Sequence, residues 1–310
     1  ITVSSSTWMG MWLGLEVNLL SFLPLVSSVK NMKESEASMK YFIIQALAST
    51  VLLLSIIFTL GYFENTVLIT SSAVLTKMGA APFHFWFPEI IEGLTWLNCA
   101  LLLTWQKIAP MVILMINSPT NLLIGAIIAS MIIGGIMGIH QTSLRKILVY
   151  SSINHMGWML ASFLTSSIIW KLYFILYAVM TLNLILMFHL MNVYMIEQVF
   201  SQLSGQTLMK FTFMLNFLSL GGLPPFIGFF PKWIVLNSLM NMNQLVLSLI
   251  MVVMTLITLY FYLRLAFIGL TITTTKMKIK MKKFSIPFVM TQNILNLLGL
   301  MILPPLLNLT

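Results

Sequence analysis

Ten apolar runs, at about residues 9–27, 41–61, 65–80, 93–116, 121–139, 146–164, 168–193, 206–240, 243–269 and 285–307, dominate the sequence. A helix needs about 17–25 apolar residues to cross the hydrocarbon core of a bilayer. With 59% hydrophobic and only 7% charged residues, the chain lacks the polar surface to cover a soluble globule. The expected fold is all-α and polytopic, in one transmembrane domain over residues 1–310, with the lipid bilayer as its first partner.

Two runs have the wrong length. The run at 65–80 is short and ends in KMGAAPFHFWFP, while 206–240 is too long for one straight helix and contains GGLPPFIGFFPKW. Gly ends helices in the left-handed conformation, and Pro just beyond prevents their resumption. We therefore expect discontinuous helices, broken close to Gly79 and between Gly221 and Gly228. The two breaks share the order small residue, Pro, aromatic cluster, Pro. Paired interrupted spans in the two halves of a chain point to an inverted-repeat transporter. The half-repeats fall at about 1–117 and 121–270, with a terminal helix at 285–307.

Counting each broken run as one crossing places Lys30, Lys33, Lys40, Arg145, Lys210, Lys276, Lys278, Lys280, Lys282 and Lys283 on one face, and Lys171 alone on the other. That asymmetry marks the first face as cytoplasmic or matrix. The net charge of +9 thus reads as an orientation signal, and no nucleic-acid partner is expected. The tract at 273–285 alternates lysines with apolar residues and reads as an interfacial anchor. The chain opens on ITVSSSTW, which resembles the end of a helix whose start is missing, so N-terminal truncation is expected.

The chemistry-bearing residues are the charges that remain inside the runs. A charge at the bilayer centre costs roughly 2.5–3.5 kcal/mol on insertion scales, so each marks a functional site unless it snorkels to the interface. Lys77 closes the 65–80 run, where a helix's negative end favours an ammonium. Lys107 lies roughly nine residues from the nearer end of its run, which makes snorkelling hard. Thr104 shares its face at i−3, and Pro110 leaves the Gln106 carbonyl without its helical donor, predicting a kink. Glu16 sits mid-run in WMGMWLGLEVNLLSFLPL and must pair, protonate or meet water. Its alternatives are a structural pairing with a neighbouring lysine or a carboxylate that modulates that lysine's charge. In SLRKILVYSSINHMGWML, Lys146, Tyr150 and Asn154 recur at i, i+4 and i+8 with His155 beside them, a polar stripe able to hold water or to glue helices together. Lys232 follows Pro231 at the start of a half-helix, near its positive dipole end.

His84, His140, His155 and His189 lack metal-ligand spacing, and His155 is the best candidate for a proton relay. Glu34, Glu36, Glu64, Glu89, Glu92 and Glu197 fall at loops or ends, where solvation explains them. The single Cys99 excludes an internal disulfide and any cysteine-based cluster. No cofactor is expected on this chain and no redox or hydrolytic chemistry of its own.

Over essentially its whole length the sequence resembles the antiporter-like membrane subunits of respiratory complex I. The likeness rests on WMGMWLGLEVNLLSFLPL, SEASMKYFIIQALAS, KMGAAPFHFWFPEIIEGLTW, LLLTWQKIAP, QTSLRKILVYSSINHMGWML, LSLGGLPPFIGFFPKW and LITLYFYLRL. It implies an inverted-repeat antiporter-like fold of about ten complete helices plus a truncated first one within residues 1–6. The family's intramembrane glutamate falls on Glu16 and its file of lysines on Lys77, Lys107, Lys146 and Lys232, with His155, Tyr150 and Thr104 as possible support. The resemblance implies a multi-pass protein of the mitochondrial inner membrane that translocates protons, coupled to quinone reduction elsewhere. NADH, FMN, iron–sulfur clusters and ubiquinone would then belong to other subunits, with membrane-arm subunits as partners. A free-standing cation/proton antiporter and a purely structural membrane subunit are the alternatives.

Overall fold

A computed structural model describes residues 1–27, 31–60, 66–117, 119–203 and 207–271. The expectations for Lys30, Glu64, the 273–285 tract and the 285–307 helix lie outside these residues. Among the described residues the chain is helical, with one isolated bridge between Ser143 and Met195. Its first elements are α1 (Trp8–Val26), α2 (Met32–Leu60), α3 (Thr66–Met78), α4 (Trp86–Gly93), α5 (Trp96–Leu103), α6 (Trp105–Ile116) and α7 (Thr120–Ile139). They are followed by α8 (Leu144–Phe163), α9 (Ser167–Met191), α10 (Ile196–Leu203), α11 (Thr207–Gly221), α12 (Phe229–Asn241) and α13 (Leu245–Thr271).

Among the described residues, six helical stretches are long and apolar enough to cross a membrane: Trp8–Val26, Met32–Thr59, Trp96–Ile116, Thr120–Ile139, Ser167–Met191 and Leu245–Phe267. The stripe-bearing α8 is equally long but more polar. It is buried without interruption from Ile147 to Ser162, so it occupies the middle of the bundle, where neighbouring helices replace lipid. Its contact with α7 depends on Gly134. A Cβ there would come within 2.8 Å of the Tyr150 carbonyl and the Asn154 amide, so only glycine lets the two backbones approach this closely.

Both expected breaks are present, between α3 and α4 and between α11 and α12, and they match residue for residue. Gly79 and Gly222 carry positive φ, 71° and 75°. Each is followed by a residue whose N–H reaches back five positions, Ala80 to the Leu75 carbonyl and Leu223 to that of Leu218, which is the Schellman arrangement. The turns beyond are also paired, with Phe83 donating to Ala80 and Phe226 to Leu223. Both contain a cis proline bond, Ala81–Pro82 and Pro224–Pro225.

A third interruption was not expected. The 93–116 run is divided at Thr104 (φ −118°, ψ −72°), and Pro110 sits inside α6. Lys107 N–H bonds to the Thr104 carbonyl instead of continuing the four-residue ladder. This frees the Leu103 carbonyl for a partner from another helix. The short α10 is too brief to register as a span in the sequence.

Candidate functional site: an intramembrane file of charges

The two lysines of the first half face a common space. Lys77, in the last turn of α3, and Lys107, in the first turn of α6, both line a cavity of about 20 Å³ together with Asn18, Gln45, Trp86 and Gln106. That volume is room for about one water molecule. Lys77 is 7% exposed and Lys107 2%, so neither amine snorkels to the surface. The cavity walls are fixed by amides. Gln45 donates to the Lys77 carbonyl at 3.3 Å, and Asn18 and Gln106 bond each other reciprocally across α1 and α6.

Glu16 lies on α1 with Oε1 buried and without a hydrogen-bond partner, and its charge acts on Lys77. Lys107 has no carboxylate partner among the described residues. Its amine sits 5.2 Å from the Phe87 ring centre and 5.4 Å from that of Tyr177, and donates to the Tyr177 hydroxyl at 3.5 Å. Aromatic faces attract a desolvated ammonium.

His155 also packs against Tyr177, ring centres 5.2 Å apart. Its Nδ1 is 2.9 Å from the Tyr173 hydroxyl, while Nε2 is buried without a partner. His155 lies within the fields of both Lys107 and Lys232. Lys232 closes the line at 6% exposure. Its amine reaches back across the second break to the carbonyls of Gly221 at 2.8 Å and Leu220 at 3.4 Å. The positive dipole end expected for it is therefore offset by the negative end of α11, to which it is bonded.

Lys146 departs from the expected mid-membrane depth. It sits in the first turn of α8 with its side chain 29% exposed, and pairs with Glu92 at 2.7 Å. The cause is the position of the helix start: α8 begins at Leu144, so the amine reaches the rim. Glu92 is thus not merely solvated, and Glu89 likewise pairs with Lys40 at 3.0 Å. Lys33, Lys40 and Arg145 line one surface cavity of about 280 Å³, so these basic residues do share a face. Arg145 there donates to the Leu94 carbonyl at 2.6 Å and lies over the Tyr194 ring. Lys171, exposed in the first turn of α9, lies at the opposite end of that helix from Tyr194.

The supporting residues divide. Tyr150 is buried below Lys146 in α8, and Asn154 bonds Thr258 of α13 at 3.3 Å, as polar glue would. The Thr104 hydroxyl is spent on the Ala100 carbonyl at 2.7 Å, so this residue contributes the backbone break rather than a side-chain contact to Lys107. Sequence reasoning missed Tyr177, Phe87, Asn18 and Gln106. The two amides carried a readable signal, being polar residues inside apolar runs next to Glu16 and Lys107. Tyr177 carried none, because an aromatic residue in a long apolar run looks like packing.

Comparisons with known proteins identify the family and the fold. The family model described as NADH:quinone oxidoreductase/Mrp antiporter, TM matches residues 5–72 and 60–258. The NADH-ubiquinone oxidoreductase chain 2 of Anopheles gambiae is 46% identical over 256 residues, covering 80% of this chain and 75% of that one. Its counterpart in Civettictis civetta is 40% identical over 260 residues, with the same coverage. Among solved structures, respiratory complex I from Thermus thermophilus matches 98% of this chain and 75% of its own at TM-score 0.86 and 23% identity. A chain of the Mrp complex from Dietzia sp. matches 83% of this one and 55% of its own at TM-score 0.73 and 19% identity. By its family model and by relatives well above 30% identity, this chain belongs to the NADH:quinone oxidoreductase/Mrp antiporter transmembrane family.

Proposed function

We propose that the chain is the proton-translocating chain 2 of the membrane arm of NADH:ubiquinone oxidoreductase, in the mitochondrial inner membrane, and that protons pass along Glu16, Lys77, Lys107, His155 and Lys232. The carrying observation is the cavity shared by Lys77 and Lys107, because two buried amines facing one water-sized space have no packing rationale. Glu16 stabilises an ammonium at Lys77, and loss of that charge frees the proton for the cavity and then for Lys107. Coupling of this kind is strong enough to matter, since two unit charges about 10 Å apart interact by about 1.7 kcal/mol at an effective dielectric of 20. Lys146 and Glu92 belong to the rim of this path and not to its centre. The register shared by the two breaks supports an inverted repeat with half-repeats at about 1–117 and 121–270. Electrons would run through NADH, FMN, iron–sulfur clusters and ubiquinone on partner subunits, so this chain contributes a proton path to the enzyme and no redox centre.

The test is proton pumping per NADH in membranes carrying the assembled complex with Lys107→Met. Pumping through this subunit is expected to be lost, while Lys171→Met pumps normally. Normal stoichiometry in Lys107→Met would leave the charges as structural contacts. Activity of the purified chain alone would instead favour a free-standing antiporter.

A further inference from the structure

We infer that Tyr177 is a positioning residue for Lys107, and that the helix break at Thr104 exists to hold it. The inference rests on the proton-path reading of Lys107 and adds a residue to it. Because Lys107 N–H turns to the Thr104 carbonyl at 3.2 Å, the Leu103 carbonyl loses its helical donor in a fully buried position. A backbone acceptor left unpaired in an apolar interior is costly. The Tyr177 hydroxyl fills the vacancy, donating to the Leu103 carbonyl at 3.3 Å.

That bond fixes the hydroxyl's role toward the amine. A phenol has one proton to give, and here it is committed to Leu103, so the oxygen faces Lys107 only as an acceptor. The Lys107 amine donates to it at 3.5 Å, with the Tyr177 and Phe87 rings 5.4 and 5.2 Å away. Oxygen and rings all favour a cation. The break therefore couples backbone to site: the same irregularity that opens α5–α6 orients the oxygen that steadies a charged Lys107. Tyr177 is entirely buried and its ring lies against His155, so the amine is held on the side where the file continues.

Tyr177→Phe tests this, because it keeps the ring and deletes only the oxygen. In the assembled complex, pumping is expected to slow by roughly two- to tenfold, and the alkaline limb of its pH profile to move toward lower pH by up to about one unit. Phe87→Leu, which removes the opposite ring face, is expected to move the limb in the same direction and less far. Tyr260→Phe, on the exposed face of α13, serves as the control with an unmoved profile. All rates are normalised to assembled complex, so an effect on assembly does not mimic one on the site. Wild-type rate and profile in both Tyr177→Phe and Phe87→Leu, with Lys107→Met inactive, would overturn the positioning role and leave the proton path standing. Normal pumping in Lys107→Met would overturn both.

Discussion

The two broken helices share a backbone and differ in how they meet its cost. Gly79 with Gly222, Pro82 with Pro225 and Phe87 with Phe230 keep one spacing, and the same hydrogen bonds recur at each. Yet each leaves helix-terminal carbonyls with no intrahelical donor. In the first break neutral groups answer: the Gln45 amide donates to the Lys77 carbonyl at 3.3 Å, and the Trp86 indole adds a second bond, at 3.0 Å, to the Thr76 carbonyl that Gly79 N–H already reaches. The position corresponding to Trp86 in the second break is Phe229, which has no donor. There Lys232 supplies the hydrogen bonds itself, to Leu220 and Gly221. One break thus leaves its lysine, Lys77, free to face a cavity, whereas the other binds its lysine into the backbone. On the proposed proton path, Lys77 would give up a proton without disturbing the fold around it, while Lys232 also braces the helix end.

Substituting the lysines should break the comparison most visibly. Lys232→Met strips two buried carbonyls of their donor, at about 1–3 kcal/mol each, so the complex is expected to lose both pumping and much of its assembled yield. Lys77→Met is expected to lose pumping with assembly close to normal. Proton stoichiometry and blue-native gels on the same membranes separate these outcomes. Equal loss of assembly in the two would show that Lys77 also carries structure.

The glycines sharpen the contrast at the next level. A left-handed residue with a Cβ costs about 1–2 kcal/mol, so Gly79→Ala and Gly222→Ala should destabilise similarly through the backbone. Their neighbours differ. The new Cβ at position 79 meets the Trp86 ring at 3.1 Å, whereas at 222 it meets the Lys232 amine at 2.9 Å. Gly222→Ala is therefore expected to depress pumping several-fold more than Gly79→Ala. Indistinguishable rates would mean that the Lys232 contact is not part of the path.

How far these features were legible follows from which chemistry is local. Gly79, Gly221, Gly222 and their prolines announced both breaks, because helix termination is decided by the residues at the site. Buried charge was equally plain at Glu16, Lys77, Lys107 and Lys232, since an apolar run exposes any ionisable residue within it. The depth of Lys146 was not, because it depends on where α8 starts, a boundary set by the bridge of Ser143 to Met195 far along the chain. The interruption at Thr104 was hidden for a related reason. Neither Gly nor Pro stands there, and the freed Leu103 carbonyl is tolerated only because Tyr177 arrives from α9. Tertiary partners of this kind leave no pattern in the run they stabilise.

The smallest effect expected concerns Trp86, and it tests whether the two breaks are as interchangeable as their backbones suggest. Trp86→Phe gives the first break the residue found at the matching position of the second, but without a lysine to replace the lost donor. The Thr76 carbonyl in α3's last turn then loses its indole partner and keeps only the Gly79 N–H. A neutral hydrogen bond contributes about 1 kcal/mol net, so the variant complex should melt slightly earlier than wild type and clearly later than Lys232→Met, which loses two contacts to an amine. Thermal release of the membrane arm, followed on native gels over a temperature series, provides the ranking. If Trp86→Phe proved as damaging as Lys232→Met, the indole and the amine would be equivalent braces, and the division between a free lysine and a structural one would fail.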